Sequence, residues 1–202
     1  MKHRILAVAL VVAAASGCGL IGDGDAQPKG KAPTDMNMQE AGDLAEQILD
    51  GIFGAIKPSV ETERGPSSDS ICTDFKNDST GTGSITRRRY VMTIISDERR
   101  GNFLGVVERK WKKDGYEITS VRKHKENPAI FARTPEGFRV VLEFGYKGQA
   151  SIDVTSPCVT ESEVTEAPRE PLDPSSPAAD GFPYIRSDFW SAETPTPSAS
   201  GG

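Results

Sequence analysis

The chain has 202 residues with 29 Asp and Glu against 24 Lys and Arg, a formal net charge of -5, and 36% hydrophobic residues. It has two histidines and three cysteines, so a zinc site built from four such ligands has little to draw on. No cofactor is expected.

The first residues read in the order of a secretory signal: basic Met1-Lys2-His3-Arg4, an apolar run from Ile5 to Ala15, then small residues ending at Cys18. A membrane-spanning helix needs about 20 predominantly apolar residues, and this run ends before Gly17, Gly19, Gly22 and Gly24. Bacterial lipoproteins carry a small-residue box ending in a cysteine whose thiol takes a diacylglyceryl group. Ala15-Ser16-Gly17-Cys18 resembles that box, with Ala15 standing where Leu is usual. Residues 1–17 then form the signal, and Cys18 is the lipidation site that tethers the protein to the extracytoplasmic face of the cell membrane. Ordinary cleavage after Ala13-Ala14-Ala15 is the alternative, and it would leave Cys18 as a free thiol.

Cysteine arithmetic bears on that choice, because an exported protein meets oxidising conditions and an odd thiol needs an explanation. Lipidation of Cys18 leaves Cys72 and Cys158 as the one pair of the mature chain able to form an intramolecular disulfide. Two unpaired buried thiols are the competing reading.

Charge is unevenly spread. Residues 85–125 hold 12 Lys and Arg against 5 Asp and Glu, whereas residues 19–80 hold 5 against 12 and residues 159–202 hold 2 against 8. A basic middle on a tethered domain suits anionic headgroups or wall polymers, although clustered charge also marks an ordinary solvated face.

Residues 18–33 read as a solvated, Gly- and Pro-containing tether. From Thr34 the pattern becomes helical. Met38, Ala41, Ala45, Ile48, Ile52 and Ile56 recur on one face, Leu44, Leu49 and Phe53 widen it, Thr34 or Asp35 caps it and Pro58 ends it. Residues 59–84 lack periodicity and predict a long loop anchored by Cys72; Gly81-Thr82-Gly83-Ser84 within it suits a turn better than an anion cradle. The run Tyr90 to Ile95 predicts a central strand buried on both faces. Ser96-Asp97-Glu98 then starts a helix whose Phe103, Leu104, Val107 and Trp111 share a face. Tyr116 to Val121, Ala129 to Arg133, Phe138 to Tyr146 and Ala150 to Thr155 predict strands joined by short turns. Helix, strand, helix and then a meander give an α+β fold over residues 34–158: a two-layer domain in which two helices pack on one face of an antiparallel sheet of four to five strands. Residues 159–202 are acidic and proline-rich and predict a disordered tail. Within it, Phe182, Tyr184, Phe189 and Trp190 are dense enough to fold back onto the sheet or to bind a partner.

The pattern resembles the small, mostly uncharacterised surface lipoproteins of actinobacteria. The resemblance rests on Cys18, on Ala55-Ile56-Lys57-Pro58, on Arg88 to Thr93 with Arg99 to Val107, on Gly137-Phe138-Arg139 and on Ser156-Pro157-Cys158. It implies a location and carries no activity with it.

No G-x-S-x-G, H-E-x-x-H, C-x-x-C or phosphate-loop motif is present, and His124 lies in a basic run that suits an exposed residue. Arg87, Arg88 and Arg89, with Arg99 and Arg100, are the candidate anion-binding surface, since guanidiniums suit phosphates and carboxylates. Alternation along a strand sends Arg87 and Arg89 to one side and Arg88 to the other. The expected protein is a lipid-anchored envelope component with a non-catalytic binding domain. Its partners would be an envelope protein, anionic lipid or wall polymer, and not nucleic acid. A wall hydrolase working through Asp and Glu, although Glu61, Glu63, Asp74, Asp97 and Glu98 offer no spacing that singles out a pair, and a structural spacer are the alternatives.

Overall fold

Asn37 opens the first helix by closing a capping box, in which its side chain accepts from the Glu40 amide at 3.0 Å and the Glu40 carboxylate accepts from the Asn37 amide at 2.9 Å. That reciprocal pair makes Asn37 the cap of α1 (Met38–Gly54), three residues beyond Thr34 and two beyond Asp35, the caps expected from pattern alone. The computed structural model describes residues 35–169 and 181–194; Cys18, the signal and the tether lie outside them. The remaining elements are β1 (Thr62–Arg64), β2 (Ser68–Thr73), β3 (Ser79–Val91), α2 (Asp97–Lys113), β4 (Glu117–Arg122), β5 (Ala129–Arg133), β6 (Arg139–Phe144), β7 (Ala150–Thr155) and β8 (Val159–Thr160).

The fold is α+β, two helices on an antiparallel sheet, but the sheet has eight strands rather than four to five. The difference comes from β3. It is 13 residues long and starts eleven residues before the predicted Tyr90, so that Gly81 to Ser84 is strand and not turn. Its length gives two strands room on each edge. On one edge Arg64 pairs with Arg89 and Ser68 with Thr86; on the other, Thr155 pairs with Thr86 and Val159 with Gly83. From β3 the sheet continues through β7, β6 and β5 to β4. The segment expected to be a loop over 59–84 is therefore largely strand. Its signal was weak because β2 reads Ser-Asp-Ser-Ile-Cys-Thr and is exposed for most of its length.

Along β3 burial alternates, with Gly83, Ile85, Arg87, Arg89 and Val91 beneath the helices and Ser84, Thr86, Arg88 and Tyr90 on the open face. Of the predicted run Tyr90 to Ile95 only Tyr90 and Val91 are strand; Val91, Met92, Thr93 and Ile95 are buried, while Tyr90 and Ile94 are half-buried. α1 lies along β3 in the same direction as the strand. A Cβ on Gly83 would stand 2.5 Å from Met38 Sδ, and one on Gly42 would stand 2.9 Å from Arg87 Nη2, so bare backbone is required at both close approaches. Farther along, Glu46 and Asp50 meet Arg89. α2 buries Phe103, Val107 and Trp111 over the β4–β5 half. Trp111 stacks on Tyr116, whose phenol is pushed up to about 12 by burial and by the nearby Asp114 and Glu136 carboxylates. β4 forms the far edge, with no strand beyond it among the described residues, and is exposed apart from Ile118.

The chain after Cys158, expected to be disordered, belongs to the fold at both described stretches. Val159 is buried in β8, the Thr160 amide donates to the Met36 carbonyl at 3.1 Å, and the Thr165 amide donates to Gln39 Oε1 at 2.7 Å. Residues 181–194 extend the core past the end of β3. Ile185 exchanges backbone bonds with Met92 and Ile94. Trp190 is fully buried edge-on to Phe103, with ring centroids 5.2 Å apart, and its indole N–H donates to the Pro58 carbonyl at 2.7 Å. Of the two fates open to the aromatic cluster, self-docking is the one observed.

Cys72 and Cys158 are joined across a sequence separation of 86, linking β2 on one side of β3 to β8 on the other. Replacing both with Ser should lower stability by about 3–5 kcal/mol through the freed unfolded chain, read as a shift in denaturant midpoint at unchanged native circular dichroism. Trp190→Ala should cost about 3–5 kcal/mol as a large buried aromatic and open residues 181–194 to protease at concentrations that leave the parent chain intact.

Candidate functional site

The five arginines expected to form one anion-binding surface are dispersed, and three are buried. Alternation holds, and Arg87 and Arg89 point toward α1 while Arg88 points to the open face. Arg87 is only 2% exposed. Its guanidinium donates to Ser67 Oγ and, at 2.8 Å, to the Thr165 carbonyl, so the segment after β8 lies over it. Arg89 is 7% exposed and donates to Asp50 and Glu46, both at 2.6 Å, with its guanidinium 5.7 Å from the Phe53 ring centroid. Glu46 also holds Arg64 at 3.1 Å, which makes one carboxylate the junction of α1, β1 and β3. Arg88 lies in a two-pronged bond to Asp153 on β7, and that carboxylate holds its pKa above the ordinary range. Arg99 is 4% exposed with its guanidinium 4.8 Å from the Phe189 ring centroid, and Arg100 pairs with Asp97 at 2.7 Å. These side chains are occupied within the fold, and their chemistry is structural: they join helix to sheet and strand to strand.

The open cationic feature lies elsewhere. A shallow groove of about 270 Å³ runs between α2 and the docked C-terminal segment, lined by Lys57, Asn102, Gly105, Arg109, Phe189 and Trp190 among others. Its floor is low because Gly101 and Gly105 stand one turn apart on the face of α2 away from the buried Phe103–Trp111 stripe. Its wall is aromatic because Trp190 is pinned by Phe103 and Pro58, and Phe189 stands edge-on to it at 4.8 Å. Lys57 and Arg109 are exposed on its rim, and no ion-pair partner holds either one among the described residues. Two free cations beside an aromatic ring and an amide suit a ligand with a negative group and an apolar or sugar-like face.

Sequence reasoning missed Lys57 and Arg109. The available signal was the pair of glycines with Arg109 four residues on, a non-apolar stripe on a helix already read as amphipathic. Nothing in the sequence shows that residues 189–190 would close the other side. The carboxylates considered for hydrolysis do not converge. Asp74 Oδ1 accepts from the Lys76 and Asp78 amides in the β2–β3 turn, and Asp97 is held by Arg100. Among the described residues no group of three or more His, Cys, Asp or Glu is placed to hold a metal. His124 is exposed, with Nδ1 accepting from the Asn127 amide at 3.2 Å. No described helix is long and apolar enough to cross a membrane.

No protein-family model and no curated protein matches the chain. Solved structures similar to it include a DUF4853 family protein from Actinomyces odontolyticus ATCC 17982, at 14% identity, TM-score 0.41, and 78% of this chain over 81% of that one. Another, from Mycobacterium tuberculosis, carries the name lipoprotein LppA, at 13% identity, TM-score 0.36, and 60% of this chain over 75% of that one. At such TM-scores neither structure bears on what this chain does.

The Arg89 junction yields a test of its structural role. Glu46→Ala leaves a buried guanidinium facing only the exposed Asp50, whereas Arg89→Met removes the buried charge and keeps an apolar stem under α1. Glu46→Ala should therefore be the more destabilising, by about 1–3 kcal/mol over Arg89→Met, as read by urea denaturation of both variants.

Proposed function

We propose that this protein is a lipid-anchored component of the cell envelope, held at the extracytoplasmic face of the membrane through Cys18. Its domain acts as a non-catalytic binding module for an anionic envelope component. The observation that carries the binding half is the groove. Among the described residues Lys57 and Arg109 have no carboxylate partner, and they flank an aromatic wall that Phe103 and Pro58 hold in place. The observation behind the location is the order of the first residues, ending in the small-residue box at Cys18.

A ligand of this chemistry carries a phosphate, carboxylate or sulfate group for the two cations and a flat face for Phe189. Wall polymers and acidic glycans present both. Rim cations act through attraction that salt screens within about 10 Å at 0.1 M, while contact with the ring is insensitive to salt. The two contributions are thus separable.

Binding of the full mature chain to purified, membrane-free cell wall should fall about tenfold in a Lys57→Glu, Arg109→Glu double variant, about 1.4 kcal/mol, with no change in melting temperature because both side chains are exposed. Equal sedimentation of parent and variant with wall would exclude the groove. Intact mass of the protein from membranes should show the acyl addition on Cys18, and an unmodified thiol would exclude the anchor.

A further inference from the structure

The β2–β3 hairpin places the most exposed large apolar side chain of the described residues at its tip. Phe75 is 91% exposed, and Ile71, lower on the same hairpin, is 59% exposed. A mobile loop is the usual place for such a residue, but this tip is held. The Asp74 amide donates to the Asp78 carbonyl at 2.9 Å, the Asn77 amide donates to the Asp74 carbonyl at 3.0 Å with Asn77 at a φ of 64, and Asp74 Oδ1 accepts from the Lys76 and Asp78 amides. Cys72, two residues before Asp74, is stapled to Cys158. A preorganised aromatic held in water is a feature of surfaces that meet an apolar phase or a partner.

The position of the chain's N-terminal side decides between those. Asn37 bridges to Thr160, Thr160 pairs with Thr82, the Glu161 amide donates to the Gly81 carbonyl, and Met38 lies against Gly83. The N-terminal approach to α1 therefore lies beside residues 81–83, at the end of β3 from which the hairpin projects. Cys72 pairs with Thr82 and Phe75 lies three residues on, so the tip stands about 10 Å beyond that point at ~3.4 Å per strand residue. Sixteen residues, 19–34, separate Cys18 from Asp35, and at no more than about 3.3–3.6 Å per residue that length of chain is ample to cover such a distance. A lipid attached at Cys18 would join the described domain at the end that carries Phe75, within reach of the tip.

From this placement we infer that the β2–β3 hairpin is a second membrane contact, with Phe75 inserted at the bilayer interface and Lys76 turned back toward the headgroups. The inference rests on the anchor reading of Cys18. Lys76 suits the role, since its ammonium lies 5.4 Å from the Phe75 ring centroid and a lysine stem can cover an apolar surface while its charge stays in water. The turn from Asp74 to Asp78 holds two acids and one base, so the contact is apolar in origin and independent of anionic lipid.

The test uses the full mature chain in phosphatidylcholine vesicles whose acyl chains carry bromine, a short-range quencher of tryptophan. Trp111 and Trp190 are both fully buried and give a constant background. Phe75→Trp should add an emission that is blue-shifted and quenched about twofold or more, as expected of a ring at the interface, with no change on adding salt. Tyr146→Trp is the control, because Tyr146 is 74% exposed next to the β6–β7 turn, at the opposite end of the sheet. Its emission should be unquenched. An unquenched Phe75→Trp signal overturns the inference, and so does equal quenching at positions 75 and 146. A shift seen with envelope proteins and absent with vesicles also overturns it, in favour of a protein contact. Mass at Cys18 is read first; if it shows no acyl group, the anchor reading fails by itself and the free thiol is coupled to a maleimide lipid so that the hairpin's depth is still measured.

Discussion

β3 has 13 residues, and none of the strands beside it exceeds six. A strand buried on one face must satisfy its amides and carbonyls along both edges, so a strand of this length calls for more than one neighbour on each side. β1 and β2 share one edge, and β7 and β8 share the other. That requirement explains why so much of the chain is recruited from regions that look unstructured. The segment before β3 must supply a partner for its first half, and the segment after β7 must continue the opposite edge. The disulfide then closes across the strand, joining the two short partners that have the least packing of their own.

The second half of β3 places two guanidiniums under a helix, where an apolar core would be expected. Arg87 and Arg89 occupy positions that alternate with Ile85 and Val91 on the inner face. α1 accommodates them with Gly42, which clears room for Arg87, and with Glu46 and Asp50, which neutralise Arg89. A buried charge is tolerated only when its partners come with it. Here they sit on one helix, which ties the register of α1 on the sheet to specific residues in a way that apolar contacts alone would not. The helix and strand run the same way, so the start of α1 and the β2–β3 hairpin share one end of the domain.

Both helices, the meander from β4 to β7, the Thr134–Gly137 turn and the disulfide partners were legible, because amphipathic periodicity, turn residues and cysteine parity are local signals. The strands flanking β3 and the order of residues 159–169 were not. β2 is polar and exposed, and β8 is two residues long, so neither carries a pattern. The arginine run was read with the correct alternation but as a candidate anion-binding surface, whereas Arg87 and Arg89 lie buried beneath α1. A row of cations looks solvent-facing unless Glu46 and Asp50, some forty residues away in sequence, are known to lie above it. The groove was beyond reach for a similar reason, since its two walls come from parts of the chain more than 70 residues apart.

One wall of that groove is Phe189 and Trp190, supplied by a segment joined to the domain through the Trp190 indole, backbone pairing with Met92 and Ile94, and hydroxyl bonds of Ser96 and Ser191. A ligand resting on Phe189 meets a complete site only while this segment is seated. Occupancy and seating are then linked equilibria, and whatever free energy a ligand gains from the aromatic wall is returned as stability of the seated segment. Anything that competes for residues 181–194 would weaken the ligand by the same factor. If the groove binds as proposed, the C-terminal aromatics both complete the core and make the groove conditional, so that affinity could be adjusted without any change to Lys57 or Arg109.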